Sequence, residues 1–576
     1  MAEEETSAVA PLPSWRHTVR SPFGTCAWAF GLMFWWFSLY PTILPRSPMM
    51  QGVISALCLS LGLATGTLVA WLTRSARNLA GRPALGKSAK RNRRLLFLLA
   101  VILIVIGLPW WVFRQNSQRG NVTMDVLSPS AVLWVVIFTL LVTALLIVVG
   151  RSIVVVVRLA NLGVQQVMPR PLGSLLGILT IVVVVAITIG GFATSQFVGW
   201  ANQTYGTFDT TTPEGIEQPT SSLRSGGPGS LVAWDTLGYE GRNFAGGGPT
   251  KAELQSFAGP AAKVTEPIRV YVGIDSVDMS SESESLPIAQ ADVAVAELDR
   301  TGAFDRSVLA IVTVTGTGWV DPYFSSGLEY MNNGDTAIVA TQYSFLPSWI
   351  SFLVDLDKAS ANGKALVDAV VAKWSTLPID NRPRLVVYGE SLGSYGSENA
   401  FVESSANESI NNALSQVDGV LWAGPTFANP LWKQIKATRN ANSPVWDPIG
   451  EHDGRVAIMG APDQPPVASR LAERSIVYLT HPSDPVTWAS VDSLWAKPPW
   501  MNAPRGVGVA AHPLWFPGVT FIQEVFDLMA GFSAPPGFGH NYDANTINGV
   551  ASIAAPDGWS GEKSAQLADL LATTLK

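Results

Sequence analysis

Gly389-Glu390-Ser391-Leu392-Gly393 places a serine between two glycines, directly after the apolar run RLVVY and before a helical pattern. A serine at a tight strand-to-helix turn can act as a nucleophile, because the turn exposes its hydroxyl and small neighbours let helix and strand approach. The pentapeptide alone is a weak signal, and its place between a strand and a helix strengthens it. A nucleophilic serine needs a base, and the base needs an acid to orient it. In a strand–turn–helix arrangement of this kind the chain order is serine, acid, histidine.

Four histidines follow Ser391: His452, His481, His512 and His540. His540, in the glycine-rich PPGFGHNYDAN, stands late in the chain before a helical pattern, where the base belongs. His512, in AAHPLWFPG, is its main competitor. Asp484, in SIVYLTHPSDPVTW, follows a strand and is the expected acid; Asp492 and Asp453 are the alternatives. Asp484 would hold the tautomer of His540, and His540 would take the proton from Ser391. Two backbone N–H groups are expected to face the developing oxyanion. One is that of Leu392, after the nucleophile. The other is that of Thr317, between Gly316 and Gly318 in VLAIVTVTGTGWVDP; Trp319 follows and is expected at the substrate.

These residues need an open α/β sheet to hold them. The runs IRVYVGI, VLAIVTV, TAIVATQ, RLVVYG, VDGVLWAG and SIVYLTH read as strands. Helical patterns over 289–301, 357–377 and 391–404 lie between them. Apolar strands with helical connections predict a mostly parallel sheet covered on both faces.

The first 200 residues are of a different kind. Five apolar stretches, at about 23–44, 52–72, 95–113, 131–150 and 172–200, carry no charged residue. Each is near the ~20 residues needed to cross a hydrocarbon core. Only 14% of the 576 residues are charged, which also points to a membrane-embedded part. The connection at 73–94 carries eight basic residues, among them Arg74, Arg77, Lys90 and Arg94. The positive-inside rule puts it, and the N-terminus, in the cytoplasm. Five spans then leave everything after Trp200 outside, in a plasma-membrane protein. The expected organisation is a transmembrane bundle over 1–200, a linker over 201–230 and a catalytic domain over 231–576.

As a set, SLVAWDTLGYEGRNFAGGGPT, EPIRVYVGIDS, YGESLGSYGSE, HPSDPVTW, WFPGVTFIQ and GFGHNYD resemble an actinobacterial family of membrane α/β-hydrolases with a multi-span N-terminal domain. The resemblance covers almost the whole chain. It implies a serine-hydrolase fold with Ser391, Asp484 and His540 at the nucleophile, acid and base positions, and gives no settled substrate.

Between acid and base, Trp495, Trp500 and Trp515 stand among prolines. They are expected either to form an apolar surface at the substrate entrance, near lipid, or to fill the core of a cap over the site. The expected activity is cleavage of acyl esters of envelope lipids. Transfer of the acyl group to another hydroxyl would use the same three residues, and lipid transport or binding without catalysis is the reading from a different class. The mild net charge of −6 leaves no nucleic-acid footprint. Cys26 and Cys58 match no metal or redox spacing. No metal cluster or nucleotide loop is apparent, and no cofactor is expected. Oligomeric state is not legible.

Overall fold

The β-branched runs fold into one sheet of seven strands: β1 (Ile268–Val272), β2 (Val308–Thr313), β3 (Thr336–Thr341), β4 (Arg384–Glu390), β5 (Gly419–Ala423), β6 (Val456–Met459) and β7 (Ser475–Leu479). All neighbours pair in parallel, in the order β1-β3-β2-β4-β5-β7-β6. The computed structural model describes residues 23–80, 89–165, 193–279, 285–448, 450, 454–460 and 464–575. Six strands lie where the sequence predicts them; β6 was not anticipated.

Strands β1 to β5 and β7 are buried at nearly every position, as expected of strands covered on both faces. Helices Leu286–Thr301, Leu356–Ser375 and Asn545–Ala554 cover them. The sheet's carboxyl edge carries the loops of interest. In register, Gly389 of β4 lies opposite Thr313 of β2 and Trp422 of β5, so the turns after these strands emerge side by side.

The chain divides into two compact units. One comprises Met1–Gly120, Asp125–Val198 and Pro513–Phe526; the other comprises Asn121–Met124, Gly199–His512 and Asp527–Lys576. The sheet belongs to the second. Residues 201–230, expected as a linker, are tied to it by the backbone: Arg269 N–H donates to Leu223 O at 3.2 Å, and Ser225 N–H to Arg269 O at 3.0 Å.

In the first unit, three described helices are long and apolar enough to cross a membrane: Pro48–Leu79, Arg94–Asn121 and Ala131–Val155. This is fewer than the five expected. The stretch expected to span 23–44 is helical only over Thr25–Ser38, 14 residues. That length rises about 21 Å, short of a ~30 Å hydrocarbon core. Pro41 and Pro45, which lie beyond its end, cannot continue an α-helix. Most of the stretch expected at 172–200 lies outside the described residues. Helix Thr25–Ser38 packs closely on Pro48–Leu79. A Cβ at Gly62 would come 2.5 Å from Phe30 O, and one at Gly66 2.6 Å from Cys26 O. The Gly62–Gly66 spacing thus acts as a small-residue contact. Residues 513–526 are built into the same unit. Phe516 stacks on Phe37 with ring centres 4.3 Å apart, and Gln523 Nε2 donates to Ser38 O at 3.0 Å.

Candidate active site

Ser391 lies between β4 and the short helix Leu392–Glu398, with φ 54° and ψ −120°. This is a rare conformation for a residue with a side chain, and it holds the serine on a sharp turn. Its N–H donates to Ala423 O at 2.9 Å, and its carbonyl accepts from Ser394 Oγ at 2.6 Å. Both flanking glycines are required by close approach. A Cβ at Gly389 would lie 2.5 Å from the Gly393 backbone, and one at Gly393 would strike Thr313 O.

Asp484 ends the loop after β7 and caps helix Pro485–Trp488, accepting from Val486 N–H at 2.8 Å through Oδ1. Its other oxygen, Oδ2, lies 2.7 Å from His540 Nδ1 and accepts from Tyr542 Oη at 2.7 Å and Thr487 Oγ1 at 3.1 Å. The carboxylate is therefore fixed by groups other than the imidazole. With Asp484 facing Nδ1, the imidazole carries its proton there and leaves Nε2 as an acceptor. His540 is buried, and its Nε2 has no hydrogen-bond partner among the described residues.

His540 and Ser391 both line a cavity of about 450 Å³. Leu392 begins the helix that follows the serine. Thr317 lines the cavity in a loop closed by Gly318 N–H to Thr315 O at 2.9 Å and braced by Tyr271 Oη to Gly318 O at 2.7 Å. Of the four tryptophans expected at the substrate, Trp319 lines the cavity. Trp495, Trp500 and Trp515 are not among its lining residues. Trp500 is 4% exposed, whereas Trp495 is 61% exposed, and Trp515 belongs to the first unit. His512, the competing base, is exposed and does not line the cavity, and His452 and Asp453 lie outside the described residues.

The sequence reading missed the groups that support the imidazole. Tyr542 holds Asp484 and stacks on His481, ring centres 4.3 Å apart. His481 Nδ1 lies 2.9 Å from Gly539 O, and its Nε2 lies 3.0 Å from Asn545 Nδ2. The signal for Tyr542 was proximity: it stands two residues past His540. Burial pushes the His481 imidazole down to about 4. The unfolded chain titrates near 6.5, so between these values it binds more protons than the folded one. His481 therefore contributes stability above pH 6.5 that is lost as pH falls through about 4. The stability advantage of the wild type over His481→Asn is expected to shrink by on the order of 3 kcal/mol between pH 7 and 4. Denaturant unfolding of both proteins across that range is the check; a constant difference would remove His481 from this role.

Gly424, after β5, sits at φ 51° against His540. A Cβ there would run into His540 Cε1 and lie 2.8 Å from Tyr542 Cε2. Gly424→Ala is expected to displace the imidazole and lower kcat about 10²-fold, the scale of an ångström-sized misplacement. Turnover normalised to folded protein measures it; unchanged kcat would mean the ring has room to yield.

The sequence reading also missed two carboxyl groups of the cavity wall, Asp321 and Glu390. Tyr388 Oη lies 2.7 Å from Asp321 Oδ2 and 3.0 Å from Glu390 Oε2. A phenol donates one proton, so both contacts are met when one carboxyl is protonated. Burial pushes Glu390 well above the usual carboxylate range, with the Asp321 charge adding to it, and raises Asp321 to about 6. Glu390 is the better holder of that proton.

A parallel α/β sheet with a serine on a strained turn after its central strand, and an Asp–His pair in the loops beyond, defines an α/β-hydrolase-like unit. Residues 268–567 match the Alpha/beta-hydrolase family, and residues 39–249 match that family's N-terminus. The chain belongs to this α/β-hydrolase family. No curated protein and no solved structure matches it.

Proposed function

We propose that the chain is a membrane-anchored serine hydrolase that cleaves acyl esters of membrane lipids through an acyl-enzyme. The observation that carries this reading is the unpartnered Nε2 of buried His540, which lines the same cavity as Ser391 on its strained turn. Ser391 Oγ attacks the ester carbonyl while His540 Nε2 takes its proton, and Asp484 steadies the imidazolium. The N–H groups of Leu392 and Thr317 receive the oxyanion. Collapse expels the alcohol, which takes the proton from His540. Water then repeats the sequence on the acyl-enzyme and releases the acid. The lipid class of the substrate is supported by the three apolar helices, which would hold the enzyme at a bilayer. The basic residues of the 73–94 connection favour the cytoplasm for it, and the two described spans after it, with a further apolar stretch at 172–200, then favour a catalytic unit outside the plasma membrane.

The test is a fluorophosphonate probe on the full-length protein in detergent, followed by peptide mapping and assay against extracted membrane lipids. The expected result is a single adduct on Ser391 and release of free fatty acid. An adduct elsewhere, or none, would overturn the assignment. Acyl transfer would show instead as a new acylated alcohol in place of free acid.

A further inference from the structure

We propose that the alcohol portion of the ester bound in this cavity is a polyhydroxylated group, a sugar or sugar-like polyol, rather than a simple alkyl or phosphate-bearing one. The inference rests on the serine-hydrolase reading and narrows its substrate. Four carboxyl side chains, Glu240, Asp321, Glu390 and Asp543, line the same cavity as Ser391 and the unpartnered, buried His540 Nε2. Among the described residues, no lysine or arginine lines it. Its volume of about 450 Å³ is inside the roughly 300–1,000 Å³ range of small-molecule pockets.

An alkyl group filling this space would strip water from the carboxyls and return no hydrogen bond, leaving each group unsatisfied. A phosphoryl group would meet like charge with no cation to offset it. A hydroxyl both donates and accepts, so it matches a carboxyl in either protonation state. That versatility suits this wall. Burial raises Glu240 to about 7 and Asp321 to about 6, and also lifts Asp543 and Glu390, so the wall mixes protonated and ionised groups near neutrality. A cationic alcohol would need them ionised together. Trp319 and Phe532 add apolar surface to the same wall, against which the C–H face of a sugar ring can pack.

The experiment compares two octanoyl esters on the full-length protein in detergent, one of methyl glucoside and one of hexanol, with the choline ester as a third arm. Each preparation is titrated with fluorophosphonate to count competent sites. The wild type is expected to favour the glucoside in kcat/KM by at least ~10²-fold, because a site built to pair hydroxyls rejects an analogue without them. Glu240→Gln and Asp543→Asn are each expected to reduce that preference at least about tenfold, mainly through KM. Preference for the hexyl or choline ester, or equal rates, with Ser391 still labelled, would overturn the polyol assignment and leave the hydrolase reading standing. A preference unmoved in both labelled variants would overturn the role of these carboxyls. If a variant fails to label, the other variant and the wild-type preference still decide. No adduct on Ser391 together with no turnover of any ester would overturn the hydrolase reading, and the inference with it.

Discussion

Replacing Ser391 with alanine is expected to lower ester turnover at least ~10³-fold and to abolish fluorophosphonate labelling, with little change in stability. The hydroxyl is the proposed bond-forming atom, so no neighbour can substitute for it. Ser394 Oγ is occupied by the carbonyl of Ser391 at 2.6 Å. The turn itself should survive. Its φ of 54° is held by Ala423 O and by the two glycines, none of which involves the serine hydroxyl. Residual rate would come from the oxyanion donors and from substrate binding. Turnover of a soluble ester by the wild type and the variant, each checked for the same unfolding midpoint, measures the effect. Equal turnover would place the nucleophile elsewhere.

The arrangement around Ser391 shows which parts of such a site a sequence displays. Ser391 was legible because the two glycines of its motif answer steric demands within five residues. The pairing of Asp484 with His540 was legible from chain order, from the loop after a strand that holds Asp484 and from the glycine-rich stretch before a helical pattern that holds His540. Tyr542, His481 and the Asp321–Tyr388 contact were not, because each joins residues far apart in the chain that only the fold brings together. Asp321 and Tyr388 are 67 positions apart, and His481 and Tyr542 are 61 apart. The same divide holds for the fold. Six strands announced themselves as buried β-branched runs. Strand β6 has four residues, three of them only half-buried at the sheet's edge, between polar and proline-rich neighbours, so it carried little pattern. Within the apolar N-terminal stretch, hydropathy ran past Ser38, but Pro41 and Pro45 did not permit a helix to follow it.

Glu329→Ala is expected to destabilise the sheet-bearing unit by about 3–5 kcal/mol, the cost of leaving a buried charge without its partner. Arg269 of β1 places Nε and Nη2 each 2.7 Å from a separate Glu329 oxygen, and its Nη1 donates to Phe244 O at 2.8 Å. The pair is 3% and 0% exposed, so water cannot replace the lost carboxylate. Glu329 stands on helix Pro322–Met331, whose N-cap is Asp321 of the cavity wall, so the ion pair ties that helix to the sheet's edge. If the burden is the unpaired charge, Arg269→Met combined with Glu329→Leu should restore most of the stability, since a buried pair exchanged for apolar groups of similar size is close to neutral. If the pair instead supplies net stabilisation, the double variant should remain as weak as the single one. Denaturant unfolding of the single and double variants separates the two. A loss below 1 kcal/mol for Glu329→Ala would mean that the helix moves to admit water beside Arg269. Turnover of a soluble ester should then change as well, because Asp321 travels with that helix.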